Sequence, residues 1–333
     1  MHSNEVVTSM NPIELIKSAI RSELELFDIT LVNSLHTENT LLKGVNEYVF
    51  MNMGKRLRPM LALLSAKLLG EVGPAAIHGA IALELLHTAT LIHDDVVDDT
   101  HERRGAQSVN ARWGNKVAVL SGDYMLAGAL RQVAMTRTVD IMEILSGIAM
   151  ELADGELLQL TSTQNTKISE TQYFDIIRKK TAYLFAACCE VGASAAGANT
   201  KQRGQLRLYG ENLGMCFQIK DDVFDYYPNL EIGKPTGNDL RDGKVTLPLI
   251  YALKNSTEEM RNKIFTIIGL RDFSEENIDM VTRFAIDNGG LAYAQECMEL
   301  YKTKAIDALA GFADGEVKQA LIACAEYAVE RKK

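Results

Sequence analysis

The chain has 333 residues, 47% of them hydrophobic and 24% charged, the proportions of a globular protein with a sizeable core. Its formal charge of −9 argues against general binding to nucleic acid or to anionic membranes. No stretch holds 18 uninterrupted apolar residues and the start carries no basic-then-apolar leader, so the expectation is a cytoplasmic protein whose five cysteines, lacking any CxxC pair, are buried thiols.

Six prolines punctuate the sequence, and none falls between Pro74 and Pro228. That span is rich in Ala, Leu, Met, Glu and Lys and nearly free of β-branched alternation, so it reads as helix after helix and the fold class as all-α. Asn11 and Pro12 open a first helix whose apolar face is Ile13, Ile16, Ile20 and Leu24. A second run, 41–53, stops at Gly54. The densest basic cluster follows, Gly54-Lys55-Arg56-Leu57-Arg58-Pro59, with Pro59 opening a helix over 60–69. The N–H groups of a helix start favour an anion beside this cluster; a solvated turn is the plainer alternative.

From Pro74 a long helix runs through Glu84, His87 and Thr90 into Asp94-Asp95-Val96-Val97-Asp98-Asp99, where four carboxylates fall within six residues. Asp94 and Asp98 lie one turn apart on one face and repel, and a hard divalent cation, which prefers oxygen ligands, would relieve them. A solvated acidic helix end explains a single such turn equally well. The spacing recurs at Asp221-Asp222-Val223-Phe224-Asp225, in a helix predicted over 202–226. Two such turns point to a multi-metal site between facing helices that takes a polyphosphate.

Arg103 and Arg104 follow the first acidic turn in a loop. Paired guanidinium forks suit a diphosphate, or else bridge to the surplus aspartates. Helices are predicted over 115–135, 139–161 and 169–197, the last opened by a capping box of Ser169 and Gln172 and carrying the basic turn Arg178-Lys179-Lys180-Thr181. Beyond the second acidic turn, Gly233-Lys234-Pro235-Thr236-Gly237 and Asp242-Gly243-Lys244 put glycine and lysine in loops without matching a P-loop. Helices starting near Pro248, Ser256, Ser274 and Gly289 complete the chain and hold no concentrated chemistry. No linker or short repeat divides the sequence, so residues 1–333 read as a single domain with its motifs between about 54 and 250.

Other chemistries fit less well. A di-iron carboxylate centre needs two Glu-x-x-His pairs, and Glu84 with His87 is the one pair present. A phosphohydrolase built on His93-Asp94-Asp95 would need more histidine ligands than six scattered residues supply. Neither a nucleophile elbow nor a dinucleotide fingerprint occurs. A non-catalytic helical partner subunit, its acidic turns serving as solvated ends, is the remaining alternative.

Taken together, the Gly54–Pro59 cluster, the first acidic turn with Arg103-Arg104-Gly105, Lys180-Thr181, and Gly214-x-x-Phe217-Gln218-x-x-Asp221-Asp222-x-x-Asp225 resemble, in order, the motifs of the trans-polyprenyl diphosphate synthases. The likeness is greatest to medium- and long-chain bacterial members such as the octaprenyl diphosphate synthases. It implies a single-domain bundle of mostly antiparallel helices around a deep central cavity (the isoprenoid synthase type), usually a homodimer. It also implies head-to-tail condensation of isopentenyl diphosphate onto an allylic diphosphate such as farnesyl diphosphate, with Mg2+ as cofactor, up to three ions with bound diphosphate.

By motif, the resemblance assigns Mg2+ to Asp94, Asp98 and Asp221, with Asp95, Asp222 and Asp225 as weaker ligands or supports. It assigns the allylic diphosphate to Arg103, Lys180, Lys234 and Lys244, and isopentenyl diphosphate to Lys55, Arg58, His87 and Arg104. Thr181 and Gln218 would flank the developing allylic cation. His87, without the family match, reads as a core histidine. No stable membrane insertion is expected, only transient contact when a lipid product leaves.

Product length is read from the helix that leads into Asp94. Thr90 lies one turn below Asp94 and Leu86 two, with Ala89 beside them, and none is aromatic. In short-chain members, the resemblance implies, bulky aromatics or an insertion in the first acidic motif close this space. Ala127, Gly128 and Ala129, on a helix expected opposite, are small as well. The expected product is therefore long, about C40 within C30 to C50, with a farnesyl or geranylgeranyl length as the alternative.

Overall fold

The structure, a computed structural model, describes residues 12–162, 168–227 and 237–331. Helices α1 (Pro12–Ser18) and α2 (Arg21–Ser34) replace the single helix expected at the start, although Ile16 and Ile20 are fully buried as its pattern required. Asn11, the expected cap, lies outside the described residues. Next come α3 (Thr40–Met51), capped by Asn39, whose side chain accepts from the Leu42 N–H at 3.1 Å, then α4 (Leu57–Lys67) and α5 (Pro74–Val97). The paired arginines do not sit in a plain loop. They belong to a two-stranded hairpin, β1 (Glu102–Arg103) against β2 (Ala106–Gln107), with Glu102 opposite Gln107. At its tip Arg104 and Gly105 both have positive φ, 57° and 77°, as a type I′ turn requires.

After α6 (Val109–Trp113), α7 (Asn115–Thr136) and α8 (Val139–Ser162), the helix expected over 169–197 arrives in three pieces. These are α9 (Glu170–Ile177), a π-helical turn over Arg178–Ala182, and α10 (Tyr183–Ala195). The Ser169–Gln172 capping box is formed in both directions. Then follow α11 (Thr200–Phe224), α12 (Asn238–Arg241), α13 (Leu247–Lys254), α14 (Glu258–Leu270), α15 (Glu275–Asp287) and α16 (Gly290–Ala308). The last helix, α17 (Glu316–Glu330), was not separated in the sequence pattern. The fold is all-α, as the proline spacing and composition indicated.

The chain forms two compact units, each drawn from three stretches. The first takes the residues up to Ser146 with Ala187–Arg207 and Gly311–Tyr327; the second takes Gly147–Ala186, Leu208–Ala310 and the residues from Ala328. In the first unit α5 packs along α7 and against α4. Among the described residues α5 is the one helix long and apolar enough to cross a membrane, but 72% of that apolar stretch is buried, which marks it as a core helix. In the second unit α13 packs on α15 and α16, and Tyr251 stacks on Tyr293 with ring centroids 4.3 Å apart. All five cysteines are buried and none is in a disulfide.

Close backbone approach in the first unit depends on Gly192 of α10. A Cβ there would stand 2.0 Å from the Ala62 carbonyl oxygen of α4 and 3.0 Å from Ser65 Cβ. Gly192→Ala therefore forces α10 and α4 apart in a packed core, at a cost of about 1–3 kcal/mol. Urea unfolding should report that loss, and a variant as stable as the wild type would mean that the two helices have room to spare.

Candidate active site

Each acidic turn occupies the last turn of a long helix, the first ending α5 and the second ending α11, and neither last turn contains a basic residue. The C-terminal pole of a helix is negative, so carboxylates there oppose the macrodipole as well as one another. Asp98 is the C-cap of α5, and its N–H donates to the Asp94 carbonyl at 2.8 Å. Asp94 is half-buried and Asp98 exposed. Asp95 points the other way. It is 3% exposed, and its Oδ1 accepts from Arg103 Nε at 2.7 Å and Nη2 at 2.6 Å. Asp95 thus anchors the hairpin arginine.

One face of α5, formed by Glu84, His87, Thr88 and Asp95, lines a cavity in the first unit together with Arg103 and Arg104. The turn at the hairpin tip brings Arg104 over α3, where Nη1 donates to the Asn52 carbonyl at 3.4 Å. Burial first, and then the charges of Arg58, Arg104 and Arg103, hold the His87 imidazole well below its ordinary value, so it is neutral at pH 7. Burial raises the Glu84 carboxyl, and the Arg58, Arg104 and Arg56 charges offset part of the rise. These arginines make a positive field in a confined, half-dry space. Such a field binds an anion rich in oxygen more strongly than bulk water would allow.

The second unit carries its chemistry on the π-helical turn. Gly155 of α8 and Gly214 of α11 let two helices close on it: a Cβ on Gly155 would lie 2.9 Å from the Lys180 backbone nitrogen, and one on Gly214 would lie 2.5 Å from Ala182 Cα. Lys180 Nζ donates to Gln159 Oε1 at 3.0 Å and pairs with Glu156 at 2.6 Å. The Thr181 hydroxyl donates to Gln218 Oε1 at 2.7 Å, Gln218 Nε2 donates to Asp222 Oδ1 at 2.8 Å, and the Tyr173 hydroxyl donates to Asp222 Oδ2 at 2.6 Å. Burial, and then the charge of Asp239, push the Asp222 carboxyl well above the usual range.

Both oxygens of Asp225 are also engaged, by the N–H groups of Asn238 at 2.8 Å and Asp239 at 3.0 Å, so that this residue caps α12. Burial pushes Asp239 up to about 6. A cavity in this unit is lined by Lys180, Thr181, Gln218, Asp222, Asp239 and Lys244. Of the second acidic turn, Asp222 and Asp225 have both carboxylate oxygens engaged by hydrogen bonds within the protein. Asp221 is the half-exposed member, its side chain 41% accessible.

Among the described residues no three Asp, Glu, His or Cys side chains form a ready-made cage for an ion. The less buried carboxylates, Asp94 and Asp98 at the end of α5 and Asp221 near the end of α11, offer hard oxygens, the kind of ligand that Mg2+ takes one or two at a time while water and phosphate oxygens fill the rest of its shell.

The structure thus gathers Glu84, His87, Asp95, Arg103 and Arg104 in the first unit, and Lys180, Thr181, Gln218, Asp222 and Lys244 in the second. Lys234 lies outside the described residues. Of the residues expected to measure product length, Leu86 and Ala89 are buried, 2% and 1% exposed, and the Thr90 hydroxyl is bonded to the His87 carbonyl at 2.9 Å. Leu85 meets Gly128 and His93 meets Gly122, so Ala89, four residues from each, lies in the seam of α5 and α7. Of the small residues expected there, Ala129 is buried, but Ala127 points outward.

The C-terminal segment, expected to carry no chemistry, touches two of the predicted residues. Lys55 Nζ donates to the Tyr327 hydroxyl at 2.5 Å and stands 5.2 Å from its ring centroid. Arg331 pairs with Asp221 at 2.5 Å. Glu156, Tyr173 and Asp239 were also missed. Their one sequence signal was the isolated charge or hydroxyl in a helical run, and that is too common to point anywhere.

The polyprenyl synthetase family profile matches residues 39–284. The octaprenyl diphosphate synthase of Haemophilus influenzae is 35% identical over 96% of this chain and 97% of its own length. Among solved structures, a decaprenyl diphosphate synthase from Rhodobacter capsulatus superposes with a TM-score of 0.92 at 36% identity, covering 97% of this chain and 100% of that one. A geranylgeranyl pyrophosphate synthase from Bacteroides thetaiotaomicron is 42% identical with a TM-score of 0.84, again over 97% and 100% of the two chains.

The neutral state of His87 has a measurable consequence. A histidine whose folded pKa is depressed below 6.5 gives its full stability above that pH, and loses it as the pH falls, because the unfolded chain takes up the proton first. Stability measured by urea unfolding should drop from about pH 6.5 downward, and His87→Asn should remove up to about 1.4 kcal/mol per pH unit of that slope. Equal slopes in the two proteins would mean that His87 titrates alike, folded and unfolded.

Proposed function

The chain belongs to the polyprenyl synthetase family, and we propose that within it the chain works as a Mg2+-dependent enzyme adding isopentenyl diphosphate head to tail to an allylic diphosphate. The product is a long trans-polyprenyl diphosphate. The observation that carries this reading lies on one helix: α5 ends in the aspartates of a cation-seeking tip, and its flank lines a cavity walled by Arg103 and Arg104. An enzyme that ionises a diphosphate ester needs both features, one to load cations and one to hold an oxygen-rich anion.

Asp94, Asp98 and Asp221 would hold the ions, which stabilise the charge growing on the leaving diphosphate. Lys55, Arg58, His87 and Arg104 bind isopentenyl diphosphate. His87 does so as a neutral donor, since the surrounding arginines already supply the positive charge. Arg103, Lys180, Lys234 and Lys244 bind the allylic diphosphate; two of the five guanidinium donors of Arg103 serve Asp95, which fixes the plane of its fork. Thr181, its proton committed to Gln218, presents lone pairs to a developing positive charge. The departing diphosphate takes the final proton, so no histidine base is required.

Both units serve this one activity as a single domain, for neither can be cut out as one continuous stretch. We place the enzyme in the cytoplasm as a homodimer. The exposed stripe of Leu120, Ala127 and Leu130 on α7 supports the second assignment, because an apolar face of that kind is commonly covered by a second copy.

For the length of the product we propose about C40, on the grounds that Leu86, Ala89 and Thr90 offer no aromatic barrier. The 42% identity to a geranylgeranyl synthase supports a second reading, a product near C20. Incubating the protein with Mg2+, farnesyl diphosphate and isopentenyl diphosphate, then sizing the dephosphorylated products, separates the two: chains of C30 to C50 are expected, and termination at C20 would favour the shorter reading. Ala89→Tyr should shift the distribution toward C15–C20, and a folded variant with unchanged products would contradict the role given to Ala89.

A further inference from the structure

Arg331 is the last described residue of the chain, and its side chain is only 7% exposed. The guanidinium carbon stands over the Phe217 ring, 3.8 Å from its centroid, with the Phe224 ring centroid 5.2 Å away. Its Nη2 donates to the Phe217 carbonyl at 2.9 Å and to Asp221 Oδ1 at 2.5 Å. Phe217, Asp221 and Phe224 stand at positions i, i+4 and i+7 of α11, so one stripe of that helix supplies two rings, a carbonyl and a carboxylate to a single cation. A flexible surface lysine could not be held this way. The planar fork can stack and donate at once, and little side-chain freedom is left to lose.

The charge so fixed stands at the end of α11, whose last turn contains no basic residue of its own. It is delivered from 110 residues away in sequence. We propose that Arg331 is a built-in counter-ion of the second acidic turn: it holds the Asp221 carboxylate in place and competes with the divalent cation for it, and so sets the concentration at which that site loads. The inference rests on the reading of Asp221 as a metal ligand. Two effects act in opposite directions on such a site. Pre-positioning the carboxylate favours the ion, whereas a guanidinium in contact with the same oxygen repels it and must give up a charge-assisted hydrogen bond. At contact distance the repulsion is the larger effect, because Coulomb energy between unit charges a few ångströms apart exceeds the rotamer entropy of one short side chain.

The test measures Mn2+ binding to the full-length protein by the loss of the free-ion electron paramagnetic resonance signal, in the presence of inorganic pyrophosphate. The proteins compared are wild type, Arg331→Gln, Arg331→Met, Arg331→Lys and Asp221→Asn. Removal of the charge in either of the first two variants should lower the half-saturating Mn2+ by about threefold or more, and Arg331→Lys, which keeps a charge but not the stacked fork, should fall between wild type and Arg331→Gln. Steady-state turnover should reach half its maximum at correspondingly less Mg2+ in Arg331→Gln. If half-saturation is unchanged or higher in both charge-removing variants while Asp221→Asn loses a bound ion, the counter-ion proposal fails and Asp221 stands as a ligand. If Asp221→Asn binds as many ions as wild type, the reading of Asp221 fails, and the proposal with it.

Discussion

Carboxylates gathered at the C-terminal end of a helix face two repulsions at once, from each other and from the negative pole of the backbone dipoles. This chain accepts that arrangement at the ends of both α5 and α11. Each such charge costs about 0.3–1 kcal/mol where basic residues would have been stabilising. The structure answers the strain in part from within. Asp95 is paired with Arg103 and Asp221 with Arg331, while Asp225 accepts from two backbone N–H groups and Asp222 from Tyr173 and Gln218. Asp94 is half-buried and Asp98 exposed at the tip of α5.

Around these ends the fold supplies cations at fixed distances. The hairpin after α5 holds Arg103 and Arg104 on opposite sides of a tight turn, so one can grip Asp95 while the other reaches over α3. The π-helical turn does comparable work in the second unit. Widening the helix by one residue shifts the phase of Lys180 and Thr181 relative to the regular helices on either side, and such turns recur at functional positions. Gly155 and Gly214 allow neighbouring helices to press on it, which locks Lys180 onto Glu156 and Thr181 onto Gln218. Polar groups fixed before substrate arrives need no reorganisation when charge develops.

Much of this was legible in the sequence because the signals were local. The Ser169–Gln172 capping box, Pro74 at the start of α5 and the three- and four-residue spacing of the aspartates each depend on neighbours within one turn. The acidic turns, the basic cluster at the start of α4 and part of each cavity lining, His87, Asp95, Arg103 and Arg104 in one and Lys180, Thr181, Gln218, Asp222 and Lys244 in the other, were named from motif alone. What escaped was set by tertiary contact. The β1–β2 hairpin carries an Arg-Gly turn in place of the usual Asn-Gly or Asp-Gly, and its strands are two residues long. A π turn has no composition of its own. The grip of Arg331 on Asp221 joins residues whose separation no periodicity encodes, and the different surroundings of Asp221, Asp222 and Asp225 depend on which of them the first N–H groups of α12 and the Tyr173 hydroxyl reach.

The central claim is that the less buried aspartates at the two helix ends bring the cations on which turnover depends. Its most direct test is the rate of condensation by Asp94→Asn and Asp221→Asn, each verified as folded by circular dichroism. The account requires both to fall by about a hundredfold or more with their helicity intact. Two folded variants working at close to the wild-type rate would contradict it.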